Sequence, residues 1–255
     1  MLKVAINGAN GKMGQELIDL VLKNPELYEL VLARTFHLEN NAIPVDSYYL
    51  TLPLTTEAQV VIDFSNQERL EETLTWSLKN KIPLVIGTTG FSSEQLLKVK
   101  SASEVIPIVH SANMSLSVNV LFEAVRMIAR KLADYEVEII ETHHRYKKDA
   151  PSGTALEIGK VVAAARGHDF DKVACFDRIG NDNATRSAEE IGFSSLRAGD
   201  IVGRHIVDFI CDGEELSVIS NINNRRGFAM GALAAARFVT NQSPGLYSMQ
   251  DVLQI

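Results

Sequence analysis

The chain has 255 residues, of which 46% are hydrophobic, and carries a formal net charge of −7 at pH 7. This length allows one large core or two modest ones, and the acidic balance excludes nucleic acid as a partner because no basic face offsets it. No signal-peptide pattern opens the chain and no apolar run approaches the roughly twenty residues that span a bilayer, so we expect a soluble cytoplasmic protein without a membrane partner.

Strand-like and helical segments alternate through the first half of the sequence. This alternation predicts an α/β domain with a parallel, doubly wound sheet, because parallel strands require crossover helices. The predicted strands are Val4–Ile6, Leu30–Ala33, Val60–Phe64, Leu84–Ile86 and Ile106–Val109, with helices near 12–23, 67–80 and 93–101.

A glycine-rich turn with the spacing G-x-x-G-x-x-G links the first strand to the first helix. A dinucleotide phosphate binds in this context, because glycine allows a tight turn and a close approach of backbone amides to the phosphate. The spacing differs from the common G-x-G-x-x-G, and a glycine turn without a ligand is the alternative. The predicted cofactor-binding residues here are Gly8, Ala9, Asn10, Gly11, Lys12 and Met13.

The second strand ends without the acidic residue that usually binds the adenosine ribose. Arg34 and Thr35 stand there instead, with His37 nearby. A cation at this position favours a 2′-phosphate and therefore predicts NADPH in preference to NADH. A solvated arginine at a strand end is the alternative explanation for Arg34.

Two polar stretches, Asp63–Ser65 and Gly87–Phe91, fall at the carboxyl ends of the third and fourth predicted strands. Ligands bind at the carboxyl ends of strands in open α/β sheets. We therefore predict that Gly87, Thr88 and Thr89 contact the cofactor, with simple turns as the alternative.

The pattern changes after Ser115, where a long helix is followed by strand-rich sequence with hairpin-like joins such as 211–213. These features predict a second domain of the α+β type with a mixed or antiparallel sheet. Its predicted elements are helix Val118–Leu132, strand Val137–Glu141, helix Gly153–Arg166 and strands Ile191–Leu196, Gly203–Ile210 and Leu216–Ile222, after which an Ala-rich helix, Gly227–Thr240, ends the pattern.

Proton donors and cations are concentrated in a loop just before a helix start. His143, His144 and Lys147 precede Ser152, which can cap a helix beginning at Gly153. The first amides of that helix, at Gly153 and Thr154, suit a carboxylate or phosphate. The cluster predicts a small anionic substrate, and a solvated basic loop is the alternative.

The stretch from Glu141 to Ala155 has the sequence E-T-H-H-R-Y-K-K-D-A-P-S-G-T-A. It closely resembles the signature of the 4-hydroxy-tetrahydrodipicolinate reductase family. The resemblance extends along nearly the whole chain, through segments 8–14, 61–65, 87–91, 113–115, 191–193, 197–203 and 225–229.

The resemblance implies a Rossmann-type dinucleotide-binding domain over residues 1–114, completed by 226–255, and a substrate-binding domain over 115–225 that builds a homotetramer. It implies reduction of a cyclic imine with two carboxylates, 4-hydroxy-tetrahydrodipicolinate, by NADPH or NADH in lysine biosynthesis through diaminopimelate. His143 and Lys147 would form the catalytic pair, and the sequence does not decide which one delivers the proton. The resemblance also implies that His144, Gly153 and Thr154 hold the substrate and that Ala112, Asn113 and Met114 contact the cofactor.

Two other classes compete with this interpretation. Another two-domain dehydrogenase would need a cysteine nucleophile after a strand or a different set of acid and base residues, and Cys175 lacks that setting. The two cysteines, Cys175 and Cys211, also follow no metal or redox spacing, so we predict no metal site and a reducing cytosol. A non-enzymatic NAD(P)-sensing protein would have lost the catalytic pair, which this sequence retains.

The sequence departs from the family pattern at Ser117 and over 220–224.

Overall fold

The computed structural model describes residues 1–35, 48–177 and 185–255. The chain forms two compact units, Met1–Leu116 with Arg225–Ile255 (unit 1) and Ser117–Asn224 (unit 2). His37 lies outside the described residues. Among those that are described, no helix is long and apolar enough to cross a membrane.

Unit 1 is built on a parallel sheet, in which seven strands are seen within the described ranges, in the order β12-β6-β5-β4-β1-β2-β3. Six of them follow the order 3-2-1-4-5-6 of a doubly wound dinucleotide-binding sheet, which confirms the predicted fold class. The strands are β1 (Leu2–Asn7), β2 (Tyr28–Arg34), β3 (Tyr48–Tyr49), β4 (Val60–Asp63), β5 (Leu84–Ile86), β6 (Pro107–His110) and β12 (Gly245–Tyr247).

Helices cover both faces of this sheet, because its central strands are apolar on both sides. Alternate strand residues divide between two cores: Ile6 packs with Leu17 and Leu233 on one face, and Leu32 packs with Leu74 on the other. The helices are α1 (Lys12–Lys23), α2 (Leu70–Asn80), α3 (Ser93–Ser103), α7 (Arg226–Val239) and α8 (Met249–Leu253).

Unit 2 is built on a mixed sheet, of which the described part of the chain supplies five strands in the order β11-β10-β7-β9-β8. Strand β10 is antiparallel to β7 and β11, whereas β9 is parallel to β7 and β8. This confirms the predicted mixed sheet. The elements are α4 (Leu116–Lys131), β7 (Glu136–His143), α5 (Gly153–Arg166), α6 (Phe170–Val173), β8 (Ala174–Cys175), β9 (Ile191–Arg197), β10 (Gly203–Cys211) and β11 (Glu214–Ile222).

Strand β7 buries every second residue, so that Val137 and Ile139 share one face with Glu141 and His143. This inner face is apolar at the start of the strand and polar at its end. The strand register places Arg197 of β9 beside His143, and it pairs Glu141 with Ser195 of β9 and His205 of β10. The sheet therefore gathers a polar cluster beneath one end of β7.

The observed elements differ from the predicted ones in several respects. The predicted strand Val137–Glu141 extends to His143, so His143 lies at the end of β7 and not in the loop after it. The predicted helix over 67–80 begins with a 3₁₀ turn, Gln67–Arg69, before α2. Five short elements were not predicted, because runs of two to five residues are too brief to show a hydrophobic period. They are β3, α6, β8, β12 and α8.

Two glycines of α7 provide a matched test of packing in unit 1. A Cβ at Gly231 would lie 1.7 Å from the Met114 carbonyl oxygen, whereas a Cβ at Gly227 would meet no heavy atom within 4 Å. We expect Gly231→Ala to lower the free energy of unfolding by about 1–3 kcal/mol, the usual cost of overpacking. Gly227→Ala should cost nothing, because alanine favours a helix. Urea unfolding of both variants checks this, and equal stabilities would contradict it.

Candidate active site

The glycine turn of unit 1 lies at the carboxyl end of β1. Gly8 has φ +85°, and a Cβ there would lie 2.5 Å from the Phe64 carbonyl oxygen. A Cβ at Gly14 would lie 2.2 Å from the Gly8 carbonyl oxygen. The turn thus packs closely against the end of β4 while α1 begins directly after Gly11.

A buried carboxylate, Asp63, ties together the strand ends beside this turn. Its Oδ1 accepts hydrogen bonds from the Ser65 amide at 2.7 Å and the Thr88 hydroxyl at 3.2 Å. Its Oδ2 accepts one from the Asn7 side-chain amide at 3.2 Å. Since Asn7 ends β1 and Thr88 follows β5, one carboxylate aligns the ends of three neighbouring strands.

The predicted cofactor residues follow different strands of this sheet. Residues 8–13 follow β1, residues 87–89 follow β5, and residues 112–114 follow β6. Parallel strands bring all three segments to the carboxyl edge of the sheet. Asn113 shapes its own segment, because its Oδ1 accepts a hydrogen bond from the Ser115 amide at 2.9 Å.

Arg34 ends β2 and is buried, with 2% of its surface exposed. Its Nη2 lies 2.7 Å from the Glu72 carboxylate at the start of α2. The guanidinium is therefore held against an acidic side chain, an arrangement that the sequence pattern did not reveal.

The unit 1 edge fits the phosphates of a dinucleotide. Close packing excludes any side chain larger than that of glycine at Gly8 and Gly14, so the turn lies tight against the end of β4 where α1 begins, and the N-cap residue Gly11 has no side chain that could cap the first amides of that helix. A helix start with backbone approaching closely is the arrangement that binds a pyrophosphate.

The polar cluster of unit 2 is centred on Glu141, which is 1% exposed. Arg197 donates to both carboxylate oxygens, at 2.7 and 2.9 Å. The Ser152 amide donates to Oε1 at 3.1 Å, and Oε2 is hydrogen-bonded to His143 Nδ1. Burial acts to raise the pKa of the Glu141 carboxyl, but hydrogen bonds from Arg197, His143 and Ser195 lower it below its ordinary value.

Two imidazoles meet in the same cluster. The rings of His143 and His205 cross edge to face with centroids 5.2 Å apart, and His205 Nε2 lies 3.2 Å from the Ser152 hydroxyl. Burial lowers the pKa of His143, although Glu141 opposes this effect. Burial also lowers the pKa of His205 to about 4, aided by the charge of His143. Both rings are therefore neutral near pH 7.

The loop after β7 and the start of α5 carry the remaining predicted residues. Lys147 Nζ pairs with Asp149 at 2.9 Å, and Arg197 donates to the Asp149 carbonyl oxygen at 2.6 Å. Ser152 caps α5 by accepting a hydrogen bond from the Ala155 amide, and Gly153 is exposed at the start of that helix. His144 follows His143 directly, with its ring centroid 6.2 Å from that of Tyr146.

Comparison with known proteins finds two family models that together cover nearly the whole chain. A family model described as dihydrodipicolinate reductase, N-terminus, matches residues 2–114, and its C-terminal counterpart matches residues 117–253. The chain belongs to the dihydrodipicolinate reductase family.

Individual members of this family are similar over their full lengths. The 4-hydroxy-tetrahydrodipicolinate reductase of Syntrophus aciditrophicus is 40% identical, covering 99% of this chain and 98% of that one. The enzyme of the same name from Sulfurimonas denitrificans is 40% identical over 100% of both chains. The solved structure of a dipicolinate-bound dihydrodipicolinate reductase from Paenisporosarcina sp. TG-14 has a TM-score of 0.80 and 26% identity, covering 98% of both chains.

Sequence reasoning assigned no role to Glu141, Arg197 or His205, although the first two lie within the family motifs. Strand alternation places Glu141 on the face of His143 and could have identified it. Arg197 and His205 reach the cluster only through the strand register, which the sequence pattern does not show. Among residues 1–35, 48–177 and 185–255, no group of three or more His, Cys, Asp or Glu side chains could hold a metal ion.

His205 should make the fold sensitive to acid. Its pKa is lowered from 6.5 to about 4 in the folded chain, so the unfolded chain binds more protons as pH falls below 6.5. Stability from this group is present above that pH and is lost as pH falls towards 4, by about 2 kcal/mol at pH 5. We expect His205→Gln to flatten the pH dependence of the urea midpoint over this range, and an unchanged slope would contradict it.

Proposed function

We propose that this chain reduces 4-hydroxy-tetrahydrodipicolinate to tetrahydrodipicolinate, in the diaminopimelate route to lysine, with a reduced pyridine nucleotide. The observation that carries the proposal is the cluster at one end of β7, where His143 is the last residue of the strand and Lys147 lies in the loop that leads into the start of α5. Family membership and the close relatives named above support the same substrate.

The residues of unit 2 suit a dicarboxylate. The first amides of α5, at Gly153 and Thr154, bind one carboxylate at the positive end of the helix dipole, assisted by the Thr154 hydroxyl. The Lys147 ammonium group, with His144, binds the other carboxylate. A carboxylate that approaches Lys147 competes with Asp149 for its ammonium group, so Asp149 favours anions that bind the helix start as well.

Proton transfer is assigned to His143 and Lys147. When bound, the reduced nicotinamide supplies the hydride, and the chain must supply protons as the hydroxyl departs as water and charge develops on the ring. Because burial lowers the pKa of His143, its imidazole holds a single ring proton near neutral pH. We therefore propose Lys147 as the proton donor and His143 as the neutral partner that exchanges protons through Nε2.

The reaction is tested by following NADPH absorbance with purified protein. Oxidation should require the condensation product of pyruvate and aspartate semialdehyde. His143→Ala and Lys147→Ala should each lower kcat by roughly 10²–10⁴-fold, the usual range for general acid–base catalysis. With Lys147 as the donor, kcat/KM should stay constant from about pH 6.5 to 8.5. A fall over this range would indicate His143 as the donor, because its lowered pKa leaves the imidazolium form depleted above pH 6.5.

Lys148→Ala is the matched control, since Lys148 is an exposed cation next to Lys147. Its kcat should be unchanged. An equal loss in this variant would show that the loop acts only through its net charge, and a failure of the wild type to oxidise NADPH would favour a cofactor-sensing protein.

NADPH is proposed as the preferred cofactor because Arg34 ends β2, where the adenosine ribose of a dinucleotide binds. In this structure Glu72 holds the Arg34 guanidinium at 2.7 Å. A 2′-phosphate must therefore compete with a carboxylate that is 43% exposed. Glu72 reduces the preference for NADPH without abolishing it.

Calorimetric titration with both cofactors checks this preference. Arg34→Ala should weaken NADPH binding by about 1–3 kcal/mol, the scale of a charge-assisted hydrogen bond, and leave NADH nearly unchanged. Glu72→Gln removes the competing charge and should tighten NADPH alone. Equal changes for both cofactors would mean that Arg34 does not recognise the 2′-phosphate.

Assembly as a homotetramer in the cytoplasm belongs to the same proposal. The outer face of the unit 2 sheet carries Leu196 and Ile219, which are 48% and 50% exposed. Ile140 and Ile206 lie on the same face by strand register. An exposed apolar sheet face of this kind is typical of a surface between subunits.

A further inference from the structure

Glu141 is a buried carboxylate to which the proposed mechanism assigns no chemistry. It is 1% exposed. Its two oxygens accept hydrogen bonds from groups on β9, at the start of α5 and on β7. These are Arg197 on β9, the Ser152 amide at the start of α5 and the ring of His143 on its own strand. A group with this many donors has little freedom to rotate.

The donors around Glu141 dictate the ring state of His143. A carboxylate flanked by an arginine and a backbone amide can only accept, so His143 Nδ1 must carry the proton of their shared hydrogen bond. The other ring nitrogen, Nε2, is then left without a proton when the ring is neutral. Gly203 leaves room on that side, because a Cβ there would lie only 3.1 Å from His143 Nε2.

Glu141 also connects His143 to the anion-binding helix. The Ser152 amide that donates to Oε1 belongs to the residue that caps α5, and Gly153 follows immediately. The same carboxylate therefore holds both the His143 imidazole and the start of α5 in position. Displacements of either group by about 1 Å are costly in catalysis.

We propose that Glu141 is the positioning residue of this site: it holds His143 in the Nδ1–H tautomer and keeps the imidazole in register with the start of α5. This positioning role depends on the proposed function in one point, which is the assignment of His143 as a catalytic residue. Arg197 contributes by donating to both carboxylate oxygens, which keeps the carboxylate ionised and directed at His143.

The tautomer is measured directly by ¹⁵N NMR of the histidine side chains, with the His143 signals assigned from a His143→Gln variant. Neutral wild-type protein should show His143 protonated at Nδ1. Glu141→Gln should shift His143 towards the Nε2–H form, because an amide N–H now faces the ring and needs an acceptor. This readout requires neither cofactor nor turnover. An Nε2–H ring in the wild type overturns the proposal even if the variant fails to fold.

Kinetics separates positioning from a structural role. Glu141→Gln should lower kcat roughly 10- to 10⁴-fold, the range seen when the partner of a functional imidazole is removed. In a His143→Ala background the same substitution should lower kcat by less than about 3-fold, because its target is gone. The matched control is Glu138→Gln on the same strand, whose carboxylate pairs with Arg186 at 3.2 Å on the opposite face of the sheet. Its kcat and His143 tautomer should not change.

Failure of this proposal is distinguishable from failure of the proposed function. A wild-type enzyme that reduces the substrate, while Glu141→Gln keeps both its kcat and its tautomer, overturns the positioning role alone. A chain that does not reduce the substrate, yet shows the Nδ1–H ring and its loss in Glu141→Gln, overturns the function and leaves the positioning of His143 intact.

Discussion

The geometry of unit 2 depends on the buried ionised carboxylate of Glu141. Removing such a charge from water costs several kcal/mol unless donors surround it. Here the donors come from β7, β9 and the start of α5. Loss of any one of them would leave the charge less compensated, so the three elements stabilise one common arrangement. The groups that satisfy this carboxylate include those from which we expect chemistry, and fold stability and function therefore share the same contacts.

Unit 1 uses a comparable device at the edge of its parallel sheet. Asp63 is buried at the end of β4 and accepts hydrogen bonds from Asn7, Ser65 and Thr88. These contacts hold the ends of β1 and β5 level, so the segments that follow them emerge side by side. In both units a buried carboxylate arranges the backbone to which we propose that a ligand binds.

The cations of the unit 2 cluster are held in place by carboxylate partners. The chain as a whole carries a net charge of −7, and two cations of the cluster are paired, Lys147 with Asp149 and Arg197 with Glu141. A monoanion gains little from displacing one such partner. A dicarboxylate that also reaches the first amides of α5 gains at two points, which suits the substrate class proposed for this family member.

The order of the longer helices and strands and both sheet types were predictable, because strand alternation and helix caps are local properties of the sequence. The Glu141–Ala155 motif is local as well, and it supplied the catalytic and substrate-binding residues that we propose. The local sequence also predicts that Ser152 caps α5, because Ser152 stands directly before Gly153 at the start of the helix. It could not show that Arg197 reaches Glu141, that His205 lies against His143, or that Glu72 holds Arg34. Each of these contacts joins residues on different strands or helices, and only strand register and packing decide which distant side chains share one face of a sheet.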